Sequence, residues 1–587
     1  MKREIAMSLA RVLRKAISRV MLVAALAATF VGCTDDGGTD KPNNNNNNTT
    51  NTPNEPSTEK PKVEPNEVTK WVDERLQNEY YWLDIYNENL DKFDYSLDYD
   101  KFLSTSLLSL TGNEMDGYTS NGTRHLYSYI TREATGRAEA DERMENSFGI
   151  SIAAQYYGGE NNTAILVILH VYPGSPAAEA GIKRGDYITA VDGTSIPSPT
   201  SNMQQFYSLR DKIEYGTGSI TIEGETYDRK SGRDLYYKRT LTAASYDPNP
   251  VAYYTILKFD EKIAEALNLN GKRIAYLSYL GFESEYNDKL IEAMRYLSAR
   301  GATDFILDLR YNGGGSVDTS TMLGSMLLSE EYIGKTYATL KRNPENTRFP
   351  KHELNSECLI VKNGLGDFED EDLPNANISS LWVITSNNTA SASEMVIKGL
   401  EGLDVPVKLV GKTTNGKNCG MDVDYEVFGQ YIYTYAPITF MNYNAKGDND
   451  YADGITPGKA AIDNSTPGVN FDKFYSPANP TKDNLSYECY VFPMPRANWG
   501  EMVFTEAEGG GYNFSGDFAL YETILRICGR TMLVGGMKQA QTDILPAEAV
   551  TRATTRRTIG EVPHIQQRHA YGATLTEQER KAWLEAK

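Results

Sequence analysis

Phe305-Ile306-Leu307-Asp308-Leu309-Arg310-Tyr311-Asn312-Gly313-Gly314-Gly315 decides how this chain is folded. The apolar run reads as a strand, and three consecutive glycines then let the backbone turn and approach a neighbour closely before a helix opens near Asp318. Upstream, Ile274 to Leu280 reads as another strand. Glu285 to Arg300 reads as an amphipathic helix with Leu290, Ile291, Met294 and Leu297 on one face and Gly301 as its stop. Downstream, Leu381 to Thr385 is a strand, Ala392 to Leu403 a helix, and Val407 to Val410 a further strand. Strands alternating with helices make an α/β core of βαβ units, whose functional groups gather at the C-terminal ends of strands.

Before this core the texture is β-rich. Ile165 to Ile168 is a strand, Pro173 to Ile182 a turn, short helix and glycine stop, and Lys183 to Gly193 a turn running into a strand and closing at a second turn. That ordered set resembles a PDZ domain. Phe148, Gly149 and Ile150 then stand where such a domain carries its carboxylate-binding loop, whose backbone N–H groups hold a peptide C-terminus while the peptide adds as a strand. From Val68 to about Ala134 the spacing of Trp71, Val72, Leu76, Tyr80 and Tyr81, and of Phe102, Leu107 and Leu110, predicts a helical cap.

The first residues concern destination. Lys2, Arg3, Arg11, Arg14, Lys15 and Arg19 precede the apolar run Val20 to Val31, which is too short to span a bilayer but fits a signal-peptide core. Phe30-Val31-Gly32-Cys33 resembles a bacterial lipobox, which implies acylation of Cys33 and a membrane anchor. Residues Thr34 to Asn66, with asparagine unbroken from Asn43 to Asn48, have little apolar surface and are expected to be a tether. Composition over all 587 residues is ordinary for globular proteins, at 40% hydrophobic and 24% charged. The net charge of −20 argues against nucleic acid as a partner, because phosphate binding relies on clustered Lys and Arg. Cys358, Cys419, Cys489 and Cys528 show no metal-ligand spacing, so no zinc or other cofactor is expected, and their pairing is not readable from sequence.

Two polar turns at strand ends carry the candidate chemistry. The triple glycine is either a tight structural turn or an anion nest able to form half of an oxyanion hole. Asn387-Asn388-Thr389-Ala390-Ser391-Ala392-Ser393-Glu394 starts a helix. A serine there is ordinarily an N-cap, yet the free N–H groups of a helix start also stabilise a developing oxyanion. Gly411-Lys412-Thr413-Thr414-Asn415-Gly416-Lys417 nearly spells a phosphate-binding loop, but Asn418 replaces the hydroxyl that would bind magnesium. No GxSxG elbow or HExxH occurs, and none of the five histidines is near either turn in sequence.

Taken together, these motifs resemble the C-terminal processing (tail-specific) serine peptidases over roughly Val68 to Gly529. The likeness rests on LDLRxNxGG at Leu307 to Gly315, TASASE at Thr389 to Glu394, GxTxxGK at Gly411 to Lys417, and Asp453-Gly454-Ile455-Thr456-Pro457, in that order. It implies Ser391 as nucleophile and Lys417 as general base, with oxyanion donors at Ala392 and Gly314 or Gly315. Ser393 is then the helix-capping partner and Lys412 a solvated charge. A neutral base requires the lysine pKa to fall from about 10.4 to about 7–8, which costs roughly 4 kcal/mol and needs burial. Lys417 lies one residue further along than is usual, which an insertion between Gly399 and Val407 explains. Met421 stands where family members often carry a glutamine that orients the lysine, so either another group positions Lys417 or activity is reduced.

The implied organisation is a lipoprotein signal at 1–33, a tether at 34–66, a helical domain at 67–143, a PDZ domain at 144–245, an α/β peptidase core at 246–530 and a tail at 531–587. The implied function is an endopeptidase acting on envelope or extracellular proteins through their C-termini. The alternatives are a catalytically silent PDZ-containing surface lipoprotein that binds peptides, and a carbohydrate-binding surface lipoprotein that leaves both turns unexplained.

Overall fold

The computed structural model describes residues 66–529, apart from 121–122, 135–143, 157–162, 229–232, 270, 350, 359–372, 458–468, 471–498, 501 and 507–511. The lipobox with Cys33, the tether up to residue 65, Cys489 and the tail lie outside the described residues.

The central sheet runs in the order Val251–Ile256, Ile274–Tyr279, Asp304–Asp308, Leu381–Thr385, Val407–Gly411 and Val469–Asn470. The first pairs antiparallel and the rest parallel. Parallel neighbours need crossovers, and helices Asn287–Ser298, Val317–Leu327 and Ala392–Gly402 lie in them. Successive side chains point to opposite faces of the sheet. Leu277, Phe305, Leu307, Leu381 and Val383 pack with Met294, Met322, Val396 and Leu400 of these helices. Tyr276, Ile306, Trp382, Ile384 and Val410 pack on the other face with Leu520 and Ile524 of the helix Phe518–Ile527. Burial on both faces is why these strands read as unbroken apolar runs.

The β-rich region forms an antiparallel sheet in the order Arg233–Thr242, Ser219–Asp228, Tyr187–Val191, Ala164–Val171 and Ile150–Tyr156. Phe148, Ile150, Leu166, Ile188, Phe206 and Ile213 fill its core. Its strand Ile150–Tyr156 is last in the sheet.

The expected helical cap is corrected. Helices Glu67–Glu79, Leu83–Asn87 and Tyr99–Ser109 are present, but the chain then turns to strands. Tyr118–Ser120 pairs with Thr123–His125, and Tyr129–Ala134 pairs with Tyr431–Ala436 of the core. Gly117 has φ 148° and a Cβ there would strike the His125 carbonyl, so the helical spacing cannot continue through it. The aromatic and β-branched residues Tyr127, Tyr129, Ile130 and Thr131 then favour extended chain. The helices share one apolar cluster with Met421, Tyr425, Tyr435 and Met441. The N-terminal region is thus built into the core rather than set beside it.

Behind the triple glycine lies a buried ionic knot. Arg310, 1% exposed, donates to Asp308 through Nε (2.8 Å) and Nη2 (2.5 Å) and to Asp517 through Nη1 (2.9 Å). Tyr276 donates to Asp308 as well (2.7 Å). Arg184 of the β-rich domain reaches Asp517 at 3.5 Å and lies 3.9 Å from the Trp499 ring centroid. Asp517 also caps the helix Phe518–Ile527 by accepting from the Leu520 N–H. Three stretches remote in sequence are therefore tied by charge. Arg310→Met leaves Asp308 buried without its cation and Asp517 with Arg184 alone. It is expected to cost about 3–5 kcal/mol in chemical denaturation, several times the effect of an exposed ion-pair substitution such as Lys238→Met.

Candidate active site

The glycine turn and the serine turn are zipped together by hydrogen bonds. Thr389 Oγ1 donates to the Leu309 carbonyl (2.8 Å), Ser386 Oγ to that of Arg310, and Ser393 Oγ to that of Asn312 (3.0 Å). The Ala390 N–H also donates to the Asn312 carbonyl (3.2 Å). Ser393, expected to cap the helix, is instead a rivet between the two turns. Gly314 has φ 105°, and a Cβ there would fall 2.7 Å from Ser391 Cβ and 2.9 Å from the Ala392 nitrogen, so only glycine permits this approach.

Ser391 occupies the first turn of the helix Ala392–Gly402 with φ 56° and ψ −116°, a strained backbone for a residue with a side chain. The sharp strand-to-helix turn that GxSxG elbows achieve is made here from Ala390-Ser391-Ala392. Its N–H donates to Glu394 Oε2 (2.8 Å). Glu394 is fully buried, and the same carboxylate accepts from the N–H of Lys417 (2.9 Å), the N–H of Gly416 (2.6 Å) and Thr414 Oγ1 (2.5 Å). One side chain thus holds both loops. The loop is braced from behind by Ile455, whose N–H donates to Thr414 Oγ1 (2.7 Å), and Gly454 (φ 84°) admits the Thr414 carbonyl where a Cβ would collide. This accounts for the Asp453 to Pro457 turn noted in the sequence.

Ser391 and Lys417 line one cavity, of about 400 Å³ including its open mouth, together with Gly315, Val317, Ala392, Met395, Cys419, Gly420, Met421, Phe440, Asn442 and Tyr451. Burial pulls the Lys417 ammonium down to about 8, with Cys419, Asp116 and Glu394 acting in the opposite direction. Its Nζ stands 5.0 Å from the centroid of the Tyr127 ring, and no hydrogen bond to Ser391 Oγ is formed in this arrangement. Lys412 is half-buried rather than fully solvated.

Gly314 and Gly315 part company. The Gly314 N–H already donates to Asn312 Oδ1 (2.9 Å), whereas Gly315 lines the cavity. Of the two glycines expected to supply an oxyanion donor, Gly315 is thus the one that lines the cavity with Ser391. None of the described histidines His125, His170 and His352 lines the cavity. Among the described residues no group of His, Cys, Asp or Glu is arranged to hold a metal ion, and no two cysteines are joined as a disulfide.

Phe148 and Ile150 are fully buried. The carbonyls of Phe148 and Gly149 accept from Ala177 and Tyr172, and Gly149 has φ 76° with Ser175 where a Cβ would sit. Among the described residues, no strand pairs with the outer edge of Ile150–Tyr156.

Residues 273–457 match the model of peptidase family S41. The core is similar to this family. Residues 167–209 match a PDZ domain model, so the β-rich region is a PDZ domain set before an S41 core. The chain is 27% identical over 255 residues to the carboxyl-terminal-processing protease of a Picosynechococcus strain, covering 43% of this chain and 51% of the relative. It is 25% identical over 290 residues to the carboxy-terminal processing protease CtpA of Bacillus subtilis, covering 47% and 50%. The chain thus spans about half the length of the curated relatives it matches. A solved S41 protease structure from Bacteroides fragilis shares the S41 fold at a TM-score of 0.51 and 23% identity, over 70% of this chain and 92% of that one. No helix among the described residues is long and apolar enough to cross a membrane.

Sequence reading missed Glu394 as the common anchor and missed Tyr127. The glutamate stood inside the quoted serine motif, three residues after Ser391, which is capping-box spacing. Tyr127 carried no signal. Burial pushes the Glu394 carboxyl up from 4.5 to about 7 against four hydrogen bonds that favour its charged form. With the folded value raised, the native state keeps a proton that the unfolded chain has released. This group therefore lowers stability as pH rises from about 4.5 to about 7. Wild type should lose about 1.4 kcal/mol per pH unit relative to Glu394→Gln across that window, in denaturation measured at several pH values. A constant difference between the two proteins refutes the assignment.

Proposed function

We propose that this protein is a serine endopeptidase that hydrolyses peptide bonds of envelope or extracellular proteins through a Ser391–Lys417 dyad. The observation that carries the reading is that a serine and a buried lysine of lowered pKa, from separate loops, line one cavity and are held there by a single carboxylate. Neutral Lys417 Nζ takes the hydroxyl proton as Ser391 Oγ attacks the peptide carbonyl carbon. The resulting oxyanion is met by the N–H groups of Ala392 and Gly315, at a helix N-terminus whose dipole favours negative charge. The proton passes from Lys417 to the leaving amine, and water, deprotonated in turn by Lys417, releases the acyl group. An apo site commonly holds such pairs apart until substrate closes them.

The PDZ domain supports capture of substrate C-termini at Phe148, Gly149 and Ile150, the peptide adding to the outer edge of Ile150–Tyr156. Acylation of Cys33 would hold the enzyme on the cell envelope, periplasmic or surface-facing. The reading includes no cofactor and no nucleic-acid partner.

The second reading, a catalytically silent peptide-binding lipoprotein, draws on Met421 at the place of an orienting glutamine and on the unformed Nζ–Oγ bond. Proteolysis of an unfolded protein separates the two. Ser391→Ala is expected to abolish cleavage while leaving C-terminal peptide binding intact, and equal behaviour of wild type and variant supports the silent reading. The lysine must lose its proton to act, so kcat/KM should rise with pH and level off above a midpoint near 8, with Lys417→Arg inactive throughout. A flat profile from pH 6 to 9 excludes Lys417 as the base.

A further inference from the structure

Met421 leaves a gap in the dyad that the fold fills from elsewhere. Its side chain is 2% exposed and lines the cavity, but a thioether donates no hydrogen bond and accepts only weakly. The group that faces the Lys417 amine is an aromatic ring from the N-terminal region. Tyr127 is 4% exposed, with its ring centroid 5.0 Å from Nζ. Its hydroxyl donates to Asn415 Oδ1 (2.7 Å), two residues before the lysine on the same loop. The backbone N–H groups of Tyr127 and Ser128 donate to Asp116 Oδ1 at 3.2 and 2.9 Å. Asp116 also accepts from Tyr80 (2.8 Å) and Ser128 Oγ (2.7 Å). The ring is thus pinned at its backbone by one buried carboxylate and at its hydroxyl by the loop that it serves.

We propose that Tyr127 is the positioning residue for Lys417, its ring face receiving the amine so that the nitrogen lone pair is turned to the Ser391 hydroxyl. A ring face attracts an ammonium or an amine N–H without supplying a competing acceptor lone pair. It also keeps water from the nitrogen, and dryness is what holds a lysine neutral. The titratable groups around the amine are Cys419 further along the chain, Glu394 on the serine helix and Asp116 beneath the ring. None of them is a hydrogen-bond partner of Nζ. The inference rests on the Ser391–Lys417 reading and names how that dyad is oriented without a glutamine.

The test uses the full chain, with Tyr127→Leu, Tyr127→Phe and Ser391→Ala compared with wild type. Cleavage of an unfolded protein and labelling of Ser391 by a fluorophosphonate probe are followed against pH. Tyr127→Leu is expected to lower kcat about 10- to 100-fold with KM within about twofold, and to move the labelling midpoint upward as water reaches the amine. Tyr127→Phe, which keeps the ring, should recover turnover to within about threefold and restore the wild-type midpoint. If Tyr127→Leu proves unfolded by thermal denaturation, Tyr127→Met, closer in length, replaces it in the comparison. A folded Leu or Met variant with wild-type kcat and midpoint overturns the proposal. So does a Phe variant as impaired as the Leu variant, which would place the effect in the hydroxyl. Cleavage that survives Ser391→Ala instead overturns the dyad reading itself, so the two failures are told apart.

Discussion

The site depends on a carboxylate that never faces the cavity's contents. Glu394 sits fully buried at the start of its helix and takes hydrogen bonds from both loops that carry the candidate groups. A carboxylate has about four acceptor positions, and four protein donors occupy them. Burying such a group without partners is costly, so its surroundings are over-determined. The serine turn and the lysine loop are held together because any slip between them strips a buried carboxyl group of its partners. Strain at Ser391 is tolerable for the same reason, since a positive φ persists only where neighbours fix it.

A second constraint lies on the other side of the serine. The glycine turn is fastened to the serine turn through the carbonyls of Leu309, Arg310 and Asn312, and the strand feeding that turn ends in the Asp308–Arg310–Asp517 knot. The knot also takes in Arg184, so the PDZ domain and the cavity share one electrostatic foundation. Charge joins these parts alongside the apolar cluster that Ala153 and Leu169 share with Ile306 and Trp382.

Much of this was legible in the sequence where local chemistry and tertiary structure agree. The strands at 274, 304, 381 and 407 and the helices between them were readable because a two-faced parallel sheet writes itself as apolar runs separated by amphipathic helices. The pairing of the serine and lysine turns came from resemblance, not from spacing, since nothing in either turn alone distinguishes a cap from a nucleophile. The N-terminal region was misread beyond Ser109 because its strand Tyr129–Ala134 owes its state to a partner some three hundred residues away, at Tyr431–Ala436. Tyr127 was invisible for the same reason: its partners, Asn415 and Lys417, belong to another part of the chain. Which of Gly314 and Gly315 keeps a free place at the cavity depended on which N–H Asn312 had already claimed, a question no linear pattern poses.

The helix Phe518–Ile527 has a consequence in time. It packs on one face of the central sheet and brings the Asp517 carboxylate to Arg310, yet it leaves the ribosome after every strand of that sheet. Domains fold as units, and contacts of long sequence separation form slowly. Until this last helix arrives, Arg310 lacks one of its two carboxylate partners and the part of the sheet that Leu520 and Ile524 cover stays bare.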